Sequence, residues 1–363
     1  MRRFAGRLFS VALGVSFLFT LFYTLEPRRT AYSCRTIWSC LGVENRHHYA
    51  HSLLYEPSAQ ATEATLRDGT MRFDRRIAGA DSDTLFLVLS KDATSWSSDF
   101  RSSQRSIHDF LDLLVSTELN LTTVSLAMMT ASADEYARMK SAIDRLPLAR
   151  TTVLFRTNTE SAVDYRLRHD PAVQLARRSA LAALRNHLMV RTLQDEQHLV
   201  WIDADVVELS PDIVQTMISH ADRNADAGII TARCEQNEMD NYDKNAWKVN
   251  APQLMGPVND EARAAAVEEL VNTRLMVPQL IEDTSDTDIV PLDSVGGTIL
   301  YIRADLVRQG VSFPTKNVVG TTWSQPGWIG VETEGICYVA KGLQGGGCYV
   351  LGGNHHVRHT DWG

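Results

Sequence analysis

Short apolar runs alternate with segments of helical period along most of this chain, and no other feature constrains the fold as much. Thr84-Leu85-Phe86-Leu87-Val88-Leu89 is suited to a buried strand. A helix is expected over about 101–116, where Ile107, Phe110, Leu111, Leu114 and Val115 recur at helical spacing. Thr122 to Met129 reads as a second strand, and Tyr136, Met139, Ile143 and Leu146 mark another helix. Thr151 to Phe155 reads as a third strand. A long helix over about 171–195 follows, with Pro171 near its first turn. His198 to Ile202 is a strand, Pro211 to His220 a helix and Ala227 to Thr231 a strand. This order implies an α/β fold, with a mostly parallel central sheet covered by helices.

The second half is less regular. Residues 233–258 read as a long loop, Glu261 to Leu275 as a helix and Gly297 to Ile302 as a strand. Glu332 to Lys341 reads as a helix and Cys348 to Leu351 as a short strand. The expectation is one Rossmann-like domain whose acceptor region is built from the C-terminal third.

Upstream, Arg2, Arg3 and Arg7 precede an uncharged run, Leu8 to Leu25. As a helix this run rises ~27 Å, close to the ~30 Å of a bilayer's hydrocarbon core. Its length and the lack of a small-residue cleavage site favour a retained anchor over a cleaved signal peptide. The flanking arginines place residues 1–7 in the cytoplasm and the remainder in the lumen. Residues 26–80 lack periodicity and read as a stem, which leaves 81–363 as the lumenal domain. Of five cysteines, Cys34 and Cys40 could pair, and so could Cys337 and Cys348; the odd count leaves at least one thiol. Asn120-Leu121-Thr122 is a glycosylation sequon at an expected strand start. The formal net charge of −8, without a basic run beyond the N-terminus, argues against nucleic acid as a partner.

The strongest chemical signal is Val200-Trp201-Ile202-Asp203-Ala204-Asp205, an apolar strand running into Asp-x-Asp. Alternation along a strand would point Asp203 and Asp205 the same way, at the carboxyl end where α/β sheets bind ligands. Two carboxylates there suit a hard divalent cation that keeps positions free for a diphosphate. A charged surface turn is the plainer reading of Asp-x-Asp alone. The preceding helix carries Arg177, Arg178, Arg185 and Asn186, and guanidinium groups bind phosphates bidentately. A solvated basic face explains such a cluster as well. Asp293 precedes the Gly296-Gly297 pair, which suits either a close ligand approach or a simple turn. Glu332 and Glu334 sit at an expected helix start, where acids also favour the helix dipole. Among His355, His356 and His359, a histidine returning to an acidic metal site suits manganese-like ions.

With these motifs in order, the sequence resembles the fungal Golgi mannosyltransferases of the mannan polymerase type, type II membrane proteins with a GT-A fold. The resemblance spans about residues 84–362. It is carried by Leu89-Ser90-Lys91-Asp92-Ala93, by Arg177-Arg178-Ser179 through Arg185-Asn186, and by Trp201 to Glu208. Tyr242-Asp243-x-Asn245-x-Trp247, Pro291 to Thr298, Phe313-Pro314-Thr315, Glu332-Thr333-Glu334-Gly335 and His359 complete it.

The resemblance implies a GDP-mannose donor, a manganese ion and retention of anomeric configuration. It implies a glycan or glycoprotein acceptor and homologous mannosyltransferase subunits as partners. It matches Ser90, Arg177, Arg178, Arg185, Asn186, Asp203 and Gly297 to the nucleotide-sugar site, and Asp203, Asp205 and His359 to the metal. Asp293 and Glu334 match acids near the sugar and acceptor. The chain departs from the family pattern at Lys316 to Gly330, which is longer, and at Gly345 to Asn354, which is glycine-rich. The expected activity is GDP-mannose-dependent α-mannosyl transfer in the Golgi. The alternatives are another nucleotide sugar, or a membrane-bound scaffold subunit without turnover.

Overall fold

A computed structural model of the chain describes residues 59–98, 104–144, 146–157, 171–237, 239–250, 259–321 and 326–360. All belong to the unit His47–Gly363. The anchor expected at Leu8 to Leu25 and the Cys34/Cys40 pair lie outside the described residues. Among the described residues no helix is long and apolar enough to cross a membrane.

The chain begins with β1 (Ala59–Thr65), β2 (Met71–Ile77) and β3 (Thr84–Ser90). Helix α1 (Ile107–Val115), β4 (Val124–Thr130), α2 (Ala133–Ile143) and β5 (Arg150–Phe155) follow. Next come α3 (Pro171–Thr192), β6 (His198–Ile202), β7 (Val206–Leu209), α4 (Ile213–Arg223), β8 (Ala227–Thr231), β9 (Arg233–Glu235) and β10 (Trp247–Lys248). The last third holds α5 (Asp260–Thr273), β11 (Leu275–Met276), α6 (Val277–Ile281), β12 (Ile289–Leu292), β13 (Ile299–Arg303), α7 (Ala304–Arg308), α8 (Thr333–Ala340), β14 (Gly347–Leu351) and β15 (His356–His359).

Ten strands form the central sheet in the order β1-β2-β5-β4-β3-β6-β13-β8-β14-β12. Its middle strands are apolar throughout because both faces are covered. Side chains alternate between two cores: Phe86 and Val88 of β3 and Val200 and Ile202 of β6 enter one. Leu85, Leu87, Leu199 and Trp201 enter the other. Helices α1, α2 and α4 pack on the first face, whereas α3, α6, α7 and α8 pack on the second. Helix α1 starts where Ser106 and Asp109 satisfy each other's backbone amides in a capping box, so the helix expected from 101 begins at Ile107.

Two expectations are corrected here. The sheet is mixed rather than mostly parallel. β5-β4, β4-β3, β3-β6 and β8-β14 run parallel. The pairs β1-β2, β2-β5, β6-β13, β13-β8 and β14-β12 run antiparallel. The alternation rule holds where a helix returns the chain to the same end of the sheet. β13 is entered instead from the loop at the carboxyl end of β6, so it runs back down beside it, with Ile299 opposite Ile202. The second correction concerns the stem expected over 26–80. Within it β1 and β2 extend the sheet, β2 pairing with β5 from Met71↔Phe155 to Arg76↔Arg150.

Cys337 and Cys348 form a disulfide, Cα atoms 5.9 Å apart, that ties α8 to β14. Cys234 is a buried free thiol. Asn120 is exposed ahead of a 3-10 turn, and its side-chain oxygen accepts from Thr122 N and Oγ1.

Candidate active site

The site is assembled at the carboxyl end of β6. The strand stops at Ile202, and Asp203 to Asp205 form a tight turn closed by Val206 N donating to the Asp203 carbonyl at 3.2 Å. Buried Arg105 braces this turn by donating to Val206 O at 2.7 Å and to Trp96 O at 3.1 Å. Asp203 N donates to Thr298 O at 3.0 Å, which joins the turn to the start of β13.

The two aspartates face different partners. Asp203 Oδ1 accepts from Arg185 Nη2 at 2.8 Å. Asp205 Oδ2 lies 2.9 Å from His359 Nε2. His359 arrives on β15, which pairs antiparallel with β7 so that His359 stands opposite Val206. Thr360 N donates to Asp205 O at 3.0 Å, and the Tyr242 ring lies 4.3 Å from the imidazole. Burial disfavours the imidazolium, but Asp205 and the Thr360 carbonyl more than offset it, so the His359 pKa lies above its usual value.

Arg185 is buried beneath Asp203, its guanidinium 4.9 Å from the Trp201 ring and 5.6 Å from the Phe313 ring. Its Nε donates to Glu332 Oε1 at 2.9 Å. Arg178 donates to Glu334 Oε2 at 3.0 Å and to Val331 O at 2.8 Å, with its Nε 3.9 Å from Glu332 Oε2. A chain of alternating charge results: Asp203, Arg185, Glu332, Arg178, Glu334. Enclosure by protein pushes the Asp203 carboxyl above its ordinary range; Arg185 opposes this, while Asp205, Glu332 and Asp243 add to it. The 37% of its side-chain surface left open moderates the effect.

The glycine pair serves close packing of protein on protein. A Cβ at Gly296 would stand 2.2 Å from Asp243 Oδ2, and one at Gly297 would stand 3.0 Å from Arg185 Nη2. Asp243 Oδ2 accepts from Gly297 N at 2.7 Å and from Thr298 Oγ1 at 3.1 Å.

Of the residues singled out in the sequence, Asp203, Asp205, Arg178, Arg185, Gly297, Glu334 and His359 come together. Others do not join them. Asn186 exchanges hydrogen bonds with the Phe313 backbone, Nδ2 to O at 2.7 Å and Phe313 N to Oδ1 at 2.8 Å, so it locks a loop. Ser90 is buried and donates to Asp92 O at 3.1 Å within the turn after β3. Arg177 is exposed on α3. Asp293 Oδ2 accepts from Val249 N at 2.9 Å, just beyond β10. Of the three arginines expected to meet phosphate, Arg178 and Arg185 are held by carboxylates.

The expected metal triad is likewise divided. Among the described residues, no three His, Cys, Asp or Glu side chains are gathered to hold an ion. Asp203 is committed to Arg185, because a buried guanidinium needs a counter-charge. Asp205 and His359 do fit a hard cation, offering one carboxylate oxygen and one imidazole nitrogen side by side. His359 Nδ1 lies 3.1 Å from Thr360 O and 3.3 Å from Gln236 Nε2, contacts that orient the ring.

Sequence reasoning missed the roles of Asp243, Tyr242, Arg105 and Glu332. The Tyr242-Asp243-x-Asn245-x-Trp247 motif was the available signal for the first two. Arg105 carried none, since a lone arginine before a helix is ordinary. A cavity of about 440 Å³ opens at the other end of the sheet, lined by Asp83, Thr123, His198 and Asp222 among others. It lies at the amino ends of β3, β4 and β6, away from this chemistry.

The family model described as Anp1 matches residues 96–317. The mannan polymerase complex subunit mnn9 of Schizosaccharomyces pombe is 33% identical over 192 residues, which cover 51% of this chain and 52% of that protein. The mannan polymerase complex subunit MNN9 of Candida albicans is 30% identical over 185 residues, 48% of each chain. The chain thus spans about half the length of the curated relatives it matches. Among solved structures, the mannosyltransferase PcManGT from Pyrobaculum calidifontis in complex with GDP-Man and Mn2+ has 9% identity and a TM-score of 0.43, with 78% of this chain and 58% of that one covered. The S. aureus TarS 1-349 structure has 13% identity and a TM-score of 0.41, with 77% and 60% covered. The family match takes in more than half of the chain and the motifs from Arg177 to Thr315, so this chain belongs to the Anp1 family, the fungal mannan polymerase type.

Proposed function

We propose that this protein is a metal-dependent glycosyltransferase that moves mannose from GDP-mannose to a glycan acceptor with retention of configuration. The observation that carries this reading is the meeting of Asp205 and His359, 154 residues apart in the chain, at the carboxyl end of β6. Asp205 and His359 would hold a manganese-like ion, with the remaining positions left for donor phosphates, as hard cations prefer. When bound, such an ion supplies charge to offset the leaving diphosphate.

The chain's own groups do the remainder. Arg185 holds Asp203 at the donor side. Glu334, fixed by Arg178 and by Gly330 N at 3.3 Å, orients the acceptor hydroxyl and offsets positive charge on the sugar ring. The leaving diphosphate takes the acceptor proton, so a side-chain base is not needed. The setting proposed is the Golgi lumen, with residues 8–25 as anchor and homologous subunits alongside. Names of the relatives as complex subunits support the last point.

A donor screen tests the reading. The full chain with manganese should transfer from GDP-mannose in preference to GDP-fucose, UDP-galactose and UDP-glucose, and chelation should stop it. Transfer from a UDP-sugar instead would replace the donor assignment. One observation favours a second reading, a scaffold subunit without turnover: Asp203 is already paired with the buried Arg185, and Asp205 already lies against His359. Absence of both transfer and donor hydrolysis, with GDP and manganese still bound, would select it. Protease protection of the domain in sealed microsomes checks the orientation.

A further inference from the structure

We infer that Glu332, rather than a free arginine cluster, is the positioning residue that holds the two ends of this site in register. The inference rests on the transferase reading above for its kinetic test, but on geometry for its basis.

Glu332 precedes α8 with φ 61° and ψ −131°, a backbone region that glycine enters easily and a residue with a Cβ does not. If the chain needed only a turn there, glycine would be the default residue. Helix capping is not the reason either, since the Glu332 side chain makes no capping hydrogen bond to α8. The backbone is held instead by Glu332 N donating to Pro314 O at 2.8 Å and by Gly335 N donating to Glu332 O at 3.2 Å. This conformation aims the carboxylate inward, where the residue is 6% exposed.

There it is the middle link of the charge chain. Oε1 accepts from Arg185 Nε at 2.9 Å, and Oε2 lies 3.9 Å from Arg178 Nε. On one side Arg185 reaches Asp203, and on the other Arg178 reaches Glu334. A guanidinium is a rigid planar fork, so fixing its Nε edge fixes the direction of its Nη donors. Glu332 therefore sets where Arg185 presents Nη2 to Asp203. Reaching Asp203 from Glu332 takes only this one guanidinium, although 129 residues separate the two acids.

The test is a double-mutant cycle on the full chain with Glu332→Gln, Asp203→Asn and the pair. Transfer from GDP-mannose and thermal unfolding are read on the same preparations. Glu332→Gln should lower kcat at least ~30-fold while the donor KM changes less than ~3-fold, because positioning acts on the transition state. The double variant should be no slower than Asp203→Asn alone within ~2-fold, because both act through Arg185. Losses that multiply, or a Glu332→Gln enzyme of normal kcat, would overturn the inference. Should Glu332→Gln not fold, Arg185→Lys replaces it in the cycle; it keeps the charge and removes the fork. Normal transfer by Arg185→Lys would overturn the inference equally. If the parent transfers no sugar from any donor, the transferase reading fails, and the unfolding cycle alone decides. Non-additive shifts in Tm support the link from Glu332 to Asp203, and additive shifts remove it.

Discussion

Strand β6 has a buried arginine–carboxylate assembly at each end, and the two are built differently. At the amino end, Arg150 Nη2 donates to Glu196 Oε1 at 2.5 Å and to Thr192 O at 2.6 Å. Arg150 Nη1 donates to Thr152 Oγ1, and Gln194 N donates to Glu196 Oε2. One positive group meets one negative group, with both side chains almost fully enclosed. At the carboxyl end, Arg178 and Arg185 face Asp203, Glu332 and Glu334, with Asp205 and Asp243 close by. Negative charge is in excess there, one backbone residue is strained, and Asp203 stays partly open. A balanced pair in ordinary geometry serves the fold. An unbalanced chain of charges held by strain is suited to receive something more.

The largest expected effect breaks the amino-end pair. Glu196→Ala leaves a buried guanidinium unpaired and should cost about 3–5 kcal/mol of stability. Chemical denaturation at neutral pH measures it, and a change under ~1 kcal/mol would place this pair with weak surface bridges. Burial pushes the Glu196 carboxyl up, but Arg150 and the Gln194 amide more than reverse this, so its folded pKa lies below the unfolded value of 4.5. Its contribution is therefore present above that value and lost as pH falls through the folded pKa. Parent and Glu196→Ala should differ less in acid than at pH ~7.

Next in size, and opposite in kind, is Asp205→Asn at the carboxyl end. Transfer should fall by roughly 100–1,000-fold, as when one electrostatic catalytic group is lost. The unfolding midpoint should barely move, since the carboxamide keeps the shape of the turn. A variant that binds GDP and manganese as tightly as the parent would remove Asp205 from the site.

A smaller effect should follow loss of the Cys337–Cys348 disulfide. It closes a loop with a sequence separation of 11, for which chain entropy suggests about 2–3 kcal/mol. Because α8 carries Glu334 in its first turn, Cys337→Ser with Cys348→Ser should also slow transfer. A loss of stability with normal kcat would show that α8 is held by packing alone. The smallest effect belongs to Arg177→Ala. Exposed and outside the charge chain, it should change stability by less than ~0.5 kcal/mol and leave donor affinity unaltered. A clear rise in the donor's binding constant would return Arg177 to the nucleotide site.

Much of the sheet was legible because β3, β4, β6 and β8 are buried on both faces and read as apolar runs. β1 was not, because Ala59–Thr65 is a mostly exposed edge strand whose order comes from pairing with β2. The site was half legible. Asp205 and His359 stood out as residue types, and the disulfide was one of two open pairings. The partners of Arg185 and Asn186 were hidden, since a guanidinium or an amide has the same sequence appearance whether it meets a phosphate, a carboxylate or a carbonyl.

What the sequence determined by itself was the buried central strands, the longer helices that cover them and the acids delivered to the end of β6. Burial and periodicity are local, and a run such as Leu85 to Leu89 has few other uses. Which way β13 runs, where β15 docks, and which acid neutralises which arginine were decided only in the folded protein. Those choices depend on contacts between residues such as Arg185 and Glu332, 147 positions apart, and a charge has no preferred partner until folding brings one within reach.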